Sequence, residues 1–322
     1  MIETVLGLDI GGTKTAVVEG TLSAEILQRR QIATEARLPF DTVFPYLASL
    51  LEETRFKAER AGRRIVALSV SVGGPLHIGD GVLIDPPHLP GWHGVPLKAR
   101  LQAHFPGLPV YIEHDGNAGA LAEFYFGVGR GRTDLRHLVF LTFGTGLGAG
   151  LIVNGQVVHG ATGTAGEVGH WRLAPDGPEG FGKAGSWEGF ASGEGLTALA
   201  AHRFPSRWPA GTSINRLVDA MLDEEPEALA VAEEAGAWMG HGMALLVDAL
   251  NPQVIVLGSL AVVLGDLILA PARRVLAEEA LPQAVAACEV VPCALGRSIG
   301  DVAALMGALT AMRSTAEART LG

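Results

Sequence analysis

Thiols are nearly missing from this sequence: 322 residues carry two cysteines, Cys288 and Cys293. Their spacing is neither a redox nor a metal motif, so a reducing cytoplasm is the expected setting. Cys288 is expected to pack in a strand. Basic charge is also short, with 24 Lys and Arg against 34 Asp and Glu, a net of -10. Neutralising a phosphate backbone needs a basic face, so nucleic acid is excluded as the main partner. The longest apolar run, Val254 to Gly265, is too short to span a bilayer. Met1 leads into an apolar segment with an acidic residue rather than a basic leader, so no targeting signal is read and no membrane partner is expected.

What the chain does carry is apolar residues, at 48%, and glycine, at 43 residues. The length points to two domains or lobes. The glycines gather in short clusters, the pattern of loops that approach phosphates or ligands closely.

One stretch organises the rest: Glu113-His114-Asp115-Gly116-Asn117-Ala118-Gly119-Ala120. Leu108 to Ile112 leads in like a strand, and Leu121-Ala122-Glu123 follows like a helix. A carboxylate at such a junction lies where ligand crevices of α/β sheets open, beside a helix terminus that favours anions. Asp115 is therefore a candidate base for activating a hydroxyl. The competing role is a cap for the following helix.

Two glycine hairpins flank it in sequence. Thr4 to Ile10 reads as a strand, Gly11-Gly12-Thr13-Lys14-Thr15 as a tight turn, and Ala16 to Gly20 as the returning strand. His137 to Thr142, Gly144-Thr145-Gly146-Leu147-Gly148 and Leu151 to Val153 repeat the pattern. Neither is a Walker A loop or a dinucleotide fingerprint, because a strand and not a helix follows the glycines. Bare backbone amides at such tips can hold phosphate oxygens, with Thr13 adding a donor. Asp9 could hold Mg²⁺ through water, since Mg²⁺ takes few carboxylates and several waters. The repetition suggests a duplicated fold that clamps a nucleotide between lobes.

Further strands are expected over 24–33, 65–72, 253–257 and 289–292. Helices are expected over 41–61, from 115 to about 126, from 192 to 201, over 226–250, and over 298–312, with a frayed polar remainder. Ile65 to Val72 ends in Gly73-Gly74-Pro75, which brings backbone close to another segment or a ligand. The loop Asp85 to Trp92 offers His88 and Trp92 as contacts, with packing the preferred role for Trp92. Glu167, His170 and Glu188 suit sugar hydroxyls better than zinc, because carboxylates accept from adjacent hydroxyls and His can do either. Gly258, between a strand and a helix, could form an adenine or ribose shelf.

The ordered set Leu8-Asp9-Ile10-Gly11-Gly12-Thr13-Lys14, Gly73-Gly74-Pro75, Leu89-Pro90-Gly91-Trp92, Glu113 to Ala118, Gly144 to Gly148, Gly166-Glu167-Val168-Gly169-His170 and Asn251 to Gly258 resembles the ROK family (repressors, open reading frames and sugar kinases). The resemblance covers nearly the whole chain. It implies an α/β, two-lobed actin-like ATPase (ribonuclease H-like) fold with the active site in the interlobe cleft. The expected lobes are 1–115, completed by the C-terminal helix 298–322, and 116–297. The resemblance further implies a hexose kinase using ATP and Mg²⁺, with Asp115 as general base. Asp9, Gly11, Gly12, Thr13, Lys14, Thr145, Gly146 and Gly258 would hold the nucleotide. Gly74, His88, His114, Asp115, Glu167, His170 and Glu188 would surround the sugar. A homodimer is the expected assembly.

The sequence departs from the family pattern at three places. Glu179, Phe181 and Ser186 replace the thiols of a zinc motif, while Gly182, Gly185 and Glu188 are kept, so no structural zinc is expected and Phe181 and Trp187 are expected to hold that loop by packing. His114 and His88 stand where Asn is usual, which changes the donors and acceptors offered to sugar. Ser259 follows Gly258 where a second Gly is common. The core begins close to Met1, which leaves no room for the helix-turn-helix of repressor members and favours the kinase branch. The competing functions are a non-catalytic sugar sensor on the same fold and, disfavoured by the hairpins, a dinucleotide-dependent oxidoreductase.

Overall fold

The computed structural model describes the backbone of residues 1–320 and the side chains of residues 1–314. The chain divides into two compact units. The first holds Met1–Phe126, His159–Ala165 and, among the described residues, 297–320; the second holds Gly127–Val158 and Gly166–Gly296.

The first unit runs β1 (Ile2–Ile10), β2 (Lys14–Thr21), β3 (Ile26–Ala33), α1 (Phe40–Arg60), β4 (Arg63–Val72), the two-residue strands β5 (Leu76–His77) and β6 (Val82–Leu83), α2 (Leu97–His104), β7 (Val110–His114) and α3 (Asp115–Phe126). Its sheet has the order β3-β2-β1-β4-β7. The tight Gly11-Gly12 turn permits only an antiparallel return, so β1 pairs antiparallel with β2. The β4 and β7 pairings are parallel, because α1 and α2 lie in the connections that precede those strands, as a crossover requires. Phe40, Val43, Phe44, Leu47 and Leu51 of α1 join Leu6, Leu8, Leu68 and Val70 of the sheet in one core. Gly7 alternates with Leu6 and Leu8 and so faces the other side. A Cβ there would stand 2.9 Å from Ala304 Cβ, which lets the C-terminal helix lie close on the sheet.

The second unit opens with β8 (Leu138–Leu141), β9 (Ala149–Val153) and β10 (Gln156–Val157), then a small hairpin of β11 (Glu179–Gly180) and β12 (Lys183–Ala184). Helices α4 (Trp187–Ala191), α5 (Gly193–Arg203), α6 (Ile214–Leu222) and α7 (Pro226–Leu250) follow. Next come β13 (Val254–Leu257), α8 (Ser259–Leu264), α9 (Asp266–Glu279), α10 (Pro282–Ala286) and β14 (Glu289–Pro292). The sheet order is β10-β9-β8-β13-β14, with the first two pairings antiparallel and the last two parallel, as in the first unit. Helix α7 has the bounds the periodicity predicts. Its Met243 and Leu246 are buried, and Trp238 and Leu250 are partly so. Gly236 and Gly240 let it approach α9: Cβ atoms there would stand 2.4 Å from Pro271 Cγ and 2.6 Å from the Ala272 carbonyl.

The chain closes with α11 (Ile299–Thr320), grouped with the first unit. The expected stop at Met312 is corrected: the helix continues to Thr320. Polarity does not end a helix; Ala316, Glu317, Ala318 and Arg319 are good helix formers with no Pro or Gly among them. Cys288 is likewise corrected. It precedes β14 rather than sitting in it, and burial pushes its thiol up to about 11.

Candidate functional site

The junction of β7 and α3 puts Asp115 on the first residue of the helix. Its Oδ1 accepts the Gly116 N–H at 2.7 Å, so the carboxylate satisfies a helix-terminal amide as a cap would. Its Oδ2 lies beside Gly73, 3.6 Å from where a Cβ would stand. The side chain is 46% exposed. One oxygen is thus anchored, and the carboxylate retains access for chemistry.

His114 is nearly buried, with Nδ1 3.3 Å from Asp115 Oδ1 and 3.3 Å from the Gly116 nitrogen. The other edge of the ring lies over Gly74, where a Cβ would stand 2.7 Å from Cδ2 and 2.8 Å from Nε2. Glycine at 74 therefore answers directly to the imidazole at 114. Gly12 makes a similar close approach to His88: a Cβ would come within 2.7 Å of His88 Cβ. His88 itself is exposed, as are Gly11, Thr13 and Lys14 at the hairpin tip. Trp92, by contrast, is fully buried and packs edge-on against Phe40 at 5.0 Å, so it is a core residue.

Asp9 is the last residue but one of β1 and lies near the first turn of α11; a Cβ on Gly300 would stand 2.6 Å from its Oδ2. Burial, with Asp115 and Asp301 adding like charge, pushes Asp9 up to about 7. Asp301 is held by Arg29, whose Nε donates to both carboxylate oxygens at 2.9 and 2.8 Å. Among the described residues no three His, Cys, Asp or Glu side chains group to hold a metal. Mg²⁺ needs no such cage, since one or two carboxylates, phosphate oxygens and water suffice. The like charge from Asp115 and Asp301 that adds to burial at Asp9 is what a divalent cation would relieve, so the residues present fit Mg²⁺ held with a phosphate ligand.

In the second unit, Thr145 is exposed and Gly146 half-buried at the tip of the β8–β9 hairpin. The turn is braced from behind: the Gly193 and Glu194 amides donate to the Gly144 and Thr145 carbonyls at 2.7 and 3.1 Å. The Gly148 amide donates to Thr142 Oγ1 at 2.9 Å. Gly258 packs on the same turn, since a Cβ would stand 2.2 Å from the Thr142 carbonyl oxygen. Close approach of β13 and β8 alone therefore requires glycine there.

Glu167 precedes a single 3₁₀ turn, Val168–His170. Glu188 is buried and accepts the Leu147 N–H at 2.8 Å. His170 stacks on Phe181 with centroids 3.9 Å apart. Gly169 joins them: a Cβ would lie 3.2 Å from both Glu188 Cβ and Phe181 Cε2. Trp187 stacks on Trp171 at 5.6 Å, and Ser186 Oγ caps α4 by accepting from Gly189. Side-chain packing and a cap thus hold the loop that carries Glu179, Phe181 and Ser186.

Four residues near Asp115 had no role assigned from sequence. Glu113 is buried and accepts from the His114 amide and Asn117 Nδ2, both at 3.0 Å, and from His159 Nε2 at 3.0 Å. Asp301 is the fourth. The Glu113–Asn117 spacing of four at a helix start was an available signal. His159 had none, because its partner lies 46 positions away.

Among the described residues no helix is long and apolar enough to cross a membrane. The chain is 32% identical over 283 residues to a glucokinase of Streptomyces coelicolor, covering 84% of this chain and 86% of that one. It is 31% identical over 287 residues to a putative xylose repressor of Caldicellulosiruptor, covering 86% and 70%. A Streptomyces griseus ROK glucokinase, solved in complex with glucose and AMPPNP, matches with a TM-score of 0.75 at 28% identity, over 94% of this chain and 97% of that one. The fold is accordingly the actin-like ATPase fold of ROK sugar kinases. With the ROK family's sequence model matched over residues 5–314, this chain belongs to the ROK family.

Proposed function

We propose that the protein is an ATP-dependent sugar kinase that transfers the γ-phosphoryl group of Mg-ATP to a hexose hydroxyl, glucose or a related or N-acetylated hexose. The observation that carries the reading is the Asp115 carboxylate, with Oδ1 anchored by the Gly116 amide and Oδ2 beside Gly73. The glucokinase relative and the likeness to a glucose and AMPPNP complex support the substrate pair.

Asp115 takes the proton of the attacking hydroxyl as its oxygen reaches phosphorus. His114, Gly74, His88, Glu167, His170 and Glu188 orient the sugar. Backbone amides at Gly11, Gly12, Thr145 and Gly146, with the Thr13 hydroxyl and Lys14, bind phosphate oxygens, and Gly258 supports the adenosine. Magnesium would neutralise phosphate charge, with Asp9 as its protein partner through water. The protein works in the cytoplasm as a homodimer, without a structural zinc.

A second reading is favoured by the repressor relative: a sugar sensor on the same fold that binds sugar without turnover. ADP release with Mg-ATP across hexoses, amino sugars and N-acetylated sugars separates the two. Sugar-dependent release that falls about a hundredfold or more in Asp115→Asn supports the kinase and names its sugar. No turnover with any sugar, while sugar still raises the melting temperature, leaves the sensor.

A further inference from the structure

The Glu113 carboxylate is buried two residues before Asp115 and is bound by three donors. Two of them, the His114 amide and Asn117 Nδ2, are neutral and belong to the turn that presents Asp115. The third, His159 Nε2, reaches both carboxylate oxygens at 3.2 and 3.0 Å, and of the three it alone can carry charge. A buried carboxylate is costly unless its oxygens are hydrogen-bonded, and His159 supplies the donor that reaches both of them while they bind the turn. The hydrogen bond to Glu113 in return holds the His159 imidazole above its ordinary range.

His159 opens a short segment, His159–Ala165, that is grouped with the first unit although the chain on either side of it belongs to the second. The segment is a closed loop: the Ala165 amide donates to the His159 carbonyl at 3.2 Å. Gly160 and Gly163 take positive φ, 72° and 83°, which suits glycine. Gly163 sits against β5 and Ile78, with a Cβ position 3.2 Å from the Leu76 carbonyl oxygen. The loop thus has its own seat, and the side chain it delivers goes to Glu113.

We propose that His159 is a positioning residue for the reaction: it fixes the Glu113 carboxylate, which fixes the 113–117 turn and hence the direction of the Asp115 carboxylate. The proposal rests on the sugar-kinase reading. It predicts that His159 acts on the chemical step and not on ATP affinity, since Glu113 and His159 bind the turn that carries Asp115 and not the nucleotide.

The test compares wild type with His159→Ala, His159→Gln and Glu113→Gln, using steady-state kinetics and hydrogen exchange at the Gly116 and Asn117 amides. In His159→Ala, kcat falls about ten- to a hundredfold, as small misplacements of a catalytic group do, while KM for ATP moves less than about threefold. The two amides exchange about tenfold faster or more. Glutamine at 159 keeps an N–H donor, so kcat recovers most of the loss. If His159→Ala fails to fold, the readout is the pair His159→Gln and Glu113→Gln, whose combined effect on kcat is less than the product of the single effects because they act on one contact. Unchanged amide exchange, or kcat within twofold of wild type in an otherwise active enzyme, overturns the positioning role alone. A wild type that turns over no sugar overturns the kinase reading and this role with it.

Discussion

The two units carry the same five-strand order and the same sequence of pairings, yet their hairpin tips differ in charge. In the first, Asp9 is the last residue but one of β1, and burial, with like charge from Asp115 and Asp301, holds its carboxyl up at about 7. In the second, the equivalent strand ends at Leu141, and the turn is held by the Thr142 hydroxyl and by amides of α5. The strands differ too: β1 and β4 span 9 and 10 residues, β8 and β13 only 4 each. One topology thus supports two environments. The first gathers the carboxylates of Asp9, Asp115 and Asp301, as the proposed proton transfer and cation would require. The second supplies a neutral, backbone-lined turn, suited to phosphate oxygens that carry their own charge.

The largest expected effect tests whether the first unit's buried charges also set its stability. Glu19 is fully buried in β2 and bound by Arg63, Gln28 and Thr4. Burial opposes its ionisation, but these donors win and hold its carboxyl below the ordinary range. Arg63→Ala leaves that charge unpaired and should cost about 3–5 kcal/mol, measured by urea unfolding. The pair's contribution is present above the unfolded pKa near 4.5 and is lost as pH falls through the lower folded value. Acid should therefore loosen the first unit before the second. Trp92 is the first unit's sole tryptophan among five, so Trp92→Phe leaves fluorescence that reports the second unit alone. Its acid transition should then trail that of far-ultraviolet circular dichroism; coincident transitions would break the contrast.

Next in size is catalysis. Asp115→Asn should lose about a hundredfold or more in kcat. Glu188→Ala, which frees the Leu147 amide at the second turn, should cost about tenfold, chiefly in KM, in line with a hydrogen bond to a charged group. Equal kcat losses at both positions would mean that the division between proton transfer and binding is wrong.

Glycine substitutions sharpen the contrast further. Gly258→Ala drives a Cβ onto the Thr142 carbonyl between two central strands and should destabilise by about 1–3 kcal/mol. Gly12→Ala meets His88 in an exposed loop. It should change the melting temperature little and weaken nucleotide binding, read by calorimetry.

The smallest effect is on Asp9. A carboxyl raised to about 7 in the folded state binds more protons folded than unfolded between about pH 4 and 7, so ligand-free stability falls as pH rises through that window. Asp9→Asn removes this penalty and should raise the ligand-free melting temperature at pH 8 by a few degrees, while losing the further rise that Mg²⁺ with nucleotide gives wild type.

Much of the fold was legible in the sequence because it is written in local signals. Helix α7 was bounded by Pro226 and Asn251-Pro252, β14 by its apolar run, and both hairpins by glycines between apolar strands. Composition could mislead where it is only loosely tied to conformation: the polar end of α11 is helical because its residues favour helix whatever their solubility. The close approaches were not legible. Nothing local to Gly74 says that the His114 ring lies over it, and nothing local to Gly258 says that the Thr142 carbonyl lies against it.

The sequence by itself determined the main strands of both sheets, the long helices α1 and α7, the two glycine turns and the placing of Asp115 at a strand-to-helix junction, since each follows from periodicity and turn chemistry over a few residues. Tertiary structure alone decided the raised pKa of Asp9, which follows first from burial and then from Asp115 and Asp301 far along the chain. It alone decided the seating of the 159–165 loop in the first unit, and the partner of the buried Glu113. Those are properties of distance in space and exclusion of water, which a linear pattern does not carry.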